Sequence, residues 1–211
     1  MPLQMAFGLI VPFVLLQGPL STAAPGFLVN AAASSLQIRL AVLIAFVGAA
    51  LTVAIAITAY PVIRRYSQTL ALWFLALCTA SLVMDAIHNA TVLAMLSLSE
   101  RYTEPGAVDA GLFPAIGAAV RTIRYWAHYT QLIFIGGWII MFYGILWRYT
   151  LIPRALAILG VTGIILQFTG VTLPAYLNYP SVNWMAMPLA PIHLTVAIWL
   201  MVKGFNERVA G

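Results

Sequence analysis

The residues in this sequence that could do chemistry are few and regularly spaced. Cys78, Ser81, Asp85 and His88 recur at intervals of three, four and three, with Asn89 alongside. Arg121, Arg124, His128 and Gln131 repeat those intervals, with Tyr125 next to Arg124. On a helix each series occupies one face, because residues three and four apart stack over one another. A third histidine, His193, lies between Pro191 and Thr195, and Gln167, Thr169 and Thr172 form a further polar group. Asp85 with His88, His128 and His193 has the donor types of a zinc site, in which three ligands and an open position activate water. There Asp85, His88 or His128 is the general base, and Arg121 or Arg124 steadies an anionic headgroup. His88 and His128 would equally serve as axial ligands of a haem between two helices. Asp85 with the histidines would also make a proton relay coupled to the passage of a small substrate. Each group has a plainer reading as well. Asp85 and His88 would fix helix register by hydrogen bonding, Arg121 and Arg124 would snorkel to headgroups, and His193 would donate to a carbonyl freed by proline.

The elements that must position these residues follow from composition. Of 211 residues, 63% are apolar and 7% charged, and the mean hydropathy is +1.00. A soluble domain carries about 25% charged residues, so this is an integral membrane protein. Ten basic residues against five acidic ones give a formal charge of +5 but form no cluster, which excludes a nucleic-acid module. The single Cys78 excludes an intrachain disulfide and any CxxC metal site. No Walker loop, GxGxxG, GxSxG or HExxH motif occurs. Hydropathy predicts an all-α polytopic membrane helix bundle of about six spans, roughly 5–21, 40–62, 70–97, 122–147, 153–175 and 182–203, in a single transmembrane domain over 1–211. The first span is short and interrupted by Pro12, Gln17, Gly18 and Pro19. Its alternative, a signal peptide cleaved near Ser21–Ala24, lacks a basic n-region, and a retained span is expected.

Arg64, Arg65, Arg148, Arg154, Lys203 and Arg208 fall on one side of this arrangement, and Arg39, Arg101, Arg121 and Arg124 on the other. The positive-inside rule then places both termini in the cytoplasm. Counting ~1.5 Å per residue from the outer ends of their spans, His88 lies roughly 13 Å and His128 roughly 10 Å deep, at comparable levels. His193, near mid-membrane in a proline-kinked segment, and Gln167 join them in the outer half of the bundle. The stretch 98–120 holds Glu100, Glu104 and Asp109 and reads as a long connection whose second half is a short interfacial helix. Arg65-Tyr66-Ser67 and Arg148-Tyr149-Thr150 are a weak internal echo. Trp126, Trp147 and Trp184 read as interfacial anchors and the Gly136-Gly137 pair as a close helix contact.

A set of residues spread over nearly the whole chain carries a likeness. It comprises Asn30 before span 2, Tyr60-Pro61 and the Arg64-Arg65 turn after it, Leu70-Ala71-Leu72 opening span 3, and Ile152-Pro153-Arg154-Ala155-Leu156 with Gly160 opening span 5. In these the chain resembles an uncharacterised family of bacterial six-helix membrane proteins known as a domain of unknown function. It departs from that pattern in its uncharged Met-Pro-Leu-Gln start and in Leu77, Cys78 and Thr79, where family members often carry an arginine and an acid. The resemblance implies the fold and a bacterial cytoplasmic membrane, and no activity. The expected function is a polar intramembrane pocket that binds a small or lipidic ligand through Asp85, His88, His128 and His193, with Asn89, Arg121, Arg124, Tyr125, Gln131 and Gln167 as further contacts. Zinc or haem is the candidate cofactor. Metal-assisted hydrolysis, proton-coupled transport, haem binding and a non-catalytic assembly subunit remain open as the use of that pocket.

Overall fold

The computed structural model describes residues 1–16, 26–104 and 112–206. Every regular element in them is helical. α1 is Pro2–Ile10, extended by a π-helical segment Val11–Leu15. A short α2, Phe27–Asn30, and a 3-10 turn, Ala32–Ser34, lead into α3, Ser35–Arg64. α4 is Gln68–Tyr102 and α5 is Leu112–Arg148. α6, Arg154–Gln167, continues through a π-helical segment, Phe168–Thr172, into α7, Leu173–Leu177. α8, Leu189–Lys203, follows a 3-10 turn, Asn183–Ala186.

Among the described residues five helical stretches are long and apolar enough to cross a bilayer: Ala32–Arg64, Gln68–Tyr102, Leu112–Arg148, Arg154–Leu177 and Asn183–Lys203. They make an all-α polytopic membrane bundle. α4 packs against both α3 and α5, α5 against α6, and α6 against α8. Leu36, Leu43, Ile57, Trp73, Ile158 and Met201 are exposed along these helices, as expected of side chains that face lipid. The stretch expected as a span over 5–21 is helical from Pro2 to Leu15, about 21 Å at 1.5 Å per residue. That is short of the ~30 Å hydrocarbon thickness. Gln17 to Ala24 lie outside the described residues, as do Asp109 and Arg208.

The long connection expected over 98–120 is much shorter. α4 runs on to Tyr102 and α5 begins at Leu112, so the segment read as a separate interfacial helix is the first two turns of α5. Its apolar residues, Phe113 to Val120, propagate the helix because no glycine pair or internal proline beyond the first turn stops it.

Two cores divide the bundle along its length. One, at the end carrying Arg64, Arg65, Arg148 and Arg154, is built on Phe74, Phe142, Tyr143, Leu146, Leu151 and Ile152, with the Phe74 and Phe142 rings stacked at 5.6 Å. The other holds Phe27, Ala31, Ile38, Val42, Val92, Met95 and Leu96. Fully buried Ser99 ties the helical break before α3 onto α4: its Oγ donates to the Leu28 carbonyl (2.7 Å) and accepts from the Ala32 N–H (2.9 Å). Close to that level Arg39 pairs with Glu100 at 2.9 Å.

The echoed turns meet in space, with the Tyr66 and Tyr149 rings 4.9 Å apart. The second of them closes α5 with a Schellman motif. The Leu151 N–H reaches the Leu146 carbonyl (3.0 Å), the Thr150 N–H reaches the Trp147 carbonyl (3.3 Å), and buried Leu151 and Leu146 supply the hydrophobic contact. The motif demands a left-handed residue, and Thr150 takes it at φ 56° despite its branched Cβ. Thr150→Gly should therefore raise the unfolding temperature in detergent, by an amount equivalent to about 1 kcal/mol. An unchanged or lowered temperature would show that the threonine side chain offsets the strain.

Candidate functional site

The polar stripes of α4 and α5 face each other across a cavity of about 570 Å³. α4 contributes Ser81, Asp85, His88 and Asn89, and α5 contributes Arg124, Tyr125, His128, Tyr129 and Gln131. The opposite wall is mostly apolar: Phe7 and Gly8 of α1, Val11, and Ala41, Val42, Ala45, Gly48 and Ala49 of α3, with Gln4 and Thr52 its polar members. The cavity lies between the two cores, since Val42 and Val92 belong to one and Trp138 to the other. No residue of α6 to α8 lines it.

Within the polar wall one pair is closed. Gln131 Nε2 donates to Asp85 Oδ1, joining α5 to α4. One step along, the rings of His88 and His128 touch, with centroids 5.1 Å apart and planes at 45°. The remaining groups are not closed. Among the described residues nine buried side-chain polar atoms have no hydrogen-bond partner, and seven of them belong to residues lining this cavity. They include Arg124 Nε, Asn89 Nδ2, Trp138 Nε1 and the Nδ1 atoms of His88 and His128. Buried polar groups are nearly always paired, so their concentration around this cavity makes it the candidate site.

The structure brings Asp85, His88, Asn89, Arg124, Tyr125, His128 and Gln131 to this cavity, but not Arg121, Gln167 or His193. Gln167 Nε2 instead donates to Thr172 Oγ1 at 3.1 Å, inside the π-helical segment. His193 pairs through Nδ1 with the Tyr143 hydroxyl at 2.9 Å, not with a carbonyl freed by Pro191. Its ring also lies edge-on to Trp138, at 6.0 Å. Convergence of all three histidines, inferred from depth, fails because His193 meets α5 at Trp138 and Tyr143, ten to fifteen residues nearer the arginine-rich end than His128. Among the described residues no three His, Cys, Asp or Glu side chains gather as a metal-ion set. A haem ligated by His88 and His128 would place its macrocycle between them, and two rings in mutual contact leave no such gap.

Sequence reasoning missed Gln4, Thr52, Tyr129 and Trp138 as cavity residues. Gln4, the only polar side chain in α1, was the one with a signal. The Gly136-Gly137 pair makes only ordinary contact, since an added Cβ would sit 3.8 Å from Ile164 or Leu77. The tightest approach is at Gly160, where a Cβ would collide with the Tyr143 ring. Gly160 thus lets α6 press on Tyr143 and hold its hydroxyl at His193.

Residues 3–204 match a family model described as a domain of unknown function, DUF4386. No curated protein and no solved structure matches the chain.

The buried Tyr143–His193 bond should be measurable by a double-mutant cycle. Tyr143→Phe leaves His193 Nδ1 without its partner and should cost about 1–3 kcal/mol in detergent unfolding. Adding His193→Leu should recover part of that loss, giving a coupling of roughly 0.5–2 kcal/mol. Strict additivity would show that the two side chains act independently.

Proposed function

The chain belongs to the DUF4386 family, and on that premise we propose that it is a six-span ligand-binding protein of a bacterial cytoplasmic membrane, folded as one transmembrane domain over 1–211. In this reading Asp85, His88, Asn89, Arg124, Tyr125, His128 and Gln131 hold a small or lipidic ligand in the outer half of the bundle. The observation that carries it is the cavity itself, with open hydrogen-bonding groups on one wall and aliphatic side chains on the other. Small-molecule sites have this character, a mostly apolar concavity of ~300–1,000 Å³ with a few convergent polar groups.

The sixth crossing is α1 with its π-helical extension. Met1 packs against the core at the arginine-rich end, and Leu16 packs against the opposite core. Between them the segment lies along α3, where Phe7 comes within 3.5 Å of a Cβ built on Gly48, and the Gln37 side chain holds the Leu15 carbonyl at 2.6 Å. A segment reaching from one core to the other returns the N-terminus to the side of Arg64, Arg65, Arg148, Arg154 and Lys203. That is the cytoplasmic side by the positive-inside rule, and both termini share it.

Binding alone is the use of the pocket that these observations favour. Asp85 is engaged by Gln131, and the histidine pair has no third metal ligand beside it among the described residues. The test fills the cavity from its apolar side. Native mass spectrometry of protein purified in a neutral maltoside should show a small-molecule adduct on the wild type, and Ala45→Trp should remove at least nine-tenths of it while the protein stays monodisperse. An adduct equally abundant in both, or absent from the wild type, would overturn the reading.

A further inference from the structure

We propose that the ligand is a single-chain anionic amphiphile, whose carboxylate or phosphate head sits on Arg124 and whose chain runs inward along α3. The proposal rests on the cavity being a binding site.

Arg124 is the unusual group on the polar wall. It is 8% exposed and its Nε lacks a partner. No carboxylate of the described residues lies within ion-pair distance of it: Asp85 accepts from Gln131 and Glu100 pairs with Arg39. Its neighbour one turn away on α5 is another cation, Arg121, also with an unpartnered buried Nε. A buried guanidinium with no counter-ion costs several kcal/mol, and an anion entering the cavity would offset that cost. Asn89 Nδ2, 5% exposed, is a second unpartnered donor nearby on α4. A guanidinium can only donate, so the missing partner is rich in acceptors, as carboxylate and phosphate are.

The shape of the cavity specifies the rest of the ligand. Its lining on α5 runs from Arg124 to Trp138, fourteen residues or about 21 Å. Spread over that length, a volume of about 570 Å³ makes an elongated cavity with the proportions of a single alkyl chain. The length suits an extended chain of about 16 carbons. Ala41, Val42, Ala45 and Ala49 supply the aliphatic wall against which such a chain would lie.

Depth agrees with this arrangement. Counted from the arginine-rich turns, the ~20 residues that cross the hydrocarbon end near His88 on α4 and His128 on α5. Arg124 is then one turn above that boundary, at the level where amphiphile headgroups lie.

The experiment titrates hexadecanoate, hexadecyl phosphate and hexadecanol onto maltoside-purified wild type, Arg124→Gln and Arg124→Lys, and reads the bound fraction by native mass spectrometry. The wild type should bind at least one of the two anions ten-fold or more better than the alcohol. If only one anion shows the preference, that identifies the head as carboxylate or phosphate. Arg124→Gln should bring anion and alcohol to within two-fold of each other, and Arg124→Lys should keep part of the preference. Without ligand, Arg124→Gln should unfold at the same or a higher temperature than the wild type, because it removes an uncompensated cation; a merely structural arginine would instead lower it. Equal binding of anions and alcohol by the wild type would sink the anionic head but leave the cavity reading standing. A preference that survives in Arg124→Gln would likewise sink the head's seat on Arg124 and spare the cavity. Failure of all three probes to bind the wild type would overturn the amphiphile, and the cavity reading would then stand or fall on the adduct lost in Ala45→Trp.

Discussion

An arginine side chain held inside a membrane bundle without a counter-ion is the constraint to which the rest of this structure answers. The guanidinium cannot lose its proton, and with Arg124 only 8% exposed it gains little from water. No carboxylate of the described residues lies within ion-pair distance of it. A bundle can carry such a group only if the remaining contacts are strong enough to bear it. The two cores on either side of the cavity do this, and neither draws on the polar wall for its packing.

The stronger of those cores is organised by close approach. Gly160 has no Cβ, so α6 lies directly on the Tyr143 ring, and the ring is pinned at its far end by the bond from its hydroxyl to His193. α5, α6 and α8 are thereby joined at one point. Helices in lipid gain no hydrophobic drive from meeting one another, and packing at small residues with an interhelical hydrogen bond replaces it. The helices that form the cavity are held differently. α3 and α4 are tied at the far end by Ser99 and the Arg39–Glu100 pair, and α4 and α5 by Gln131 and Asp85. The cavity occupies the interval between these ties.

Much of the bundle was legible in the sequence, because hydropathy and helical periodicity both act locally. The spans over 40–62, 70–97 and 122–147 fall within described helical stretches, and those over 153–175 and 182–203 overrun theirs by one residue at the start. Spacing alone put Asp85 with His88 on one face and Arg124 with His128 and Gln131 on another, and depth put the two faces level. What spacing could not supply was the rotation of one helix about its axis relative to another. Gln167 has the wrong azimuth and His193 also the wrong depth, ten to fifteen residues along α5 from His128, so each found a partner of its own in Thr172 or Tyr143. Tyr143 was unreadable as that partner, since a tyrosine in an apolar run looks like any other core residue until Gly160 is known to press against it. The apolar wall was equally hidden: Ala41, Ala45 and Ala49 are ordinary span residues, and only the α1 segment beside them turns their small size into open space.

The reading of the stripes as helix glue can be weighed against these particulars. Glue consists of polar groups that satisfy one another across an interface, and the bundle contains clear instances: Gln131 with Asp85, His193 with Tyr143, and Ser99 with the backbone before α3. Each joins one helical segment to another, and of these side chains only Gln131 keeps a buried polar atom, its Oε1, without a partner. Arg124, Asn89 and the two imidazole Nδ1 atoms behave otherwise, because they are buried, close together and open. A purely architectural interface would gain stability by replacing them with leucine, and the ~570 Å³ beside them would close. Retaining a cation, two histidines and an amide around open space destabilises the empty bundle. In folded proteins uncompensated polar groups of this kind cluster where a ligand completes them. The unpaired groups thereby separate the proposed site from the scaffold.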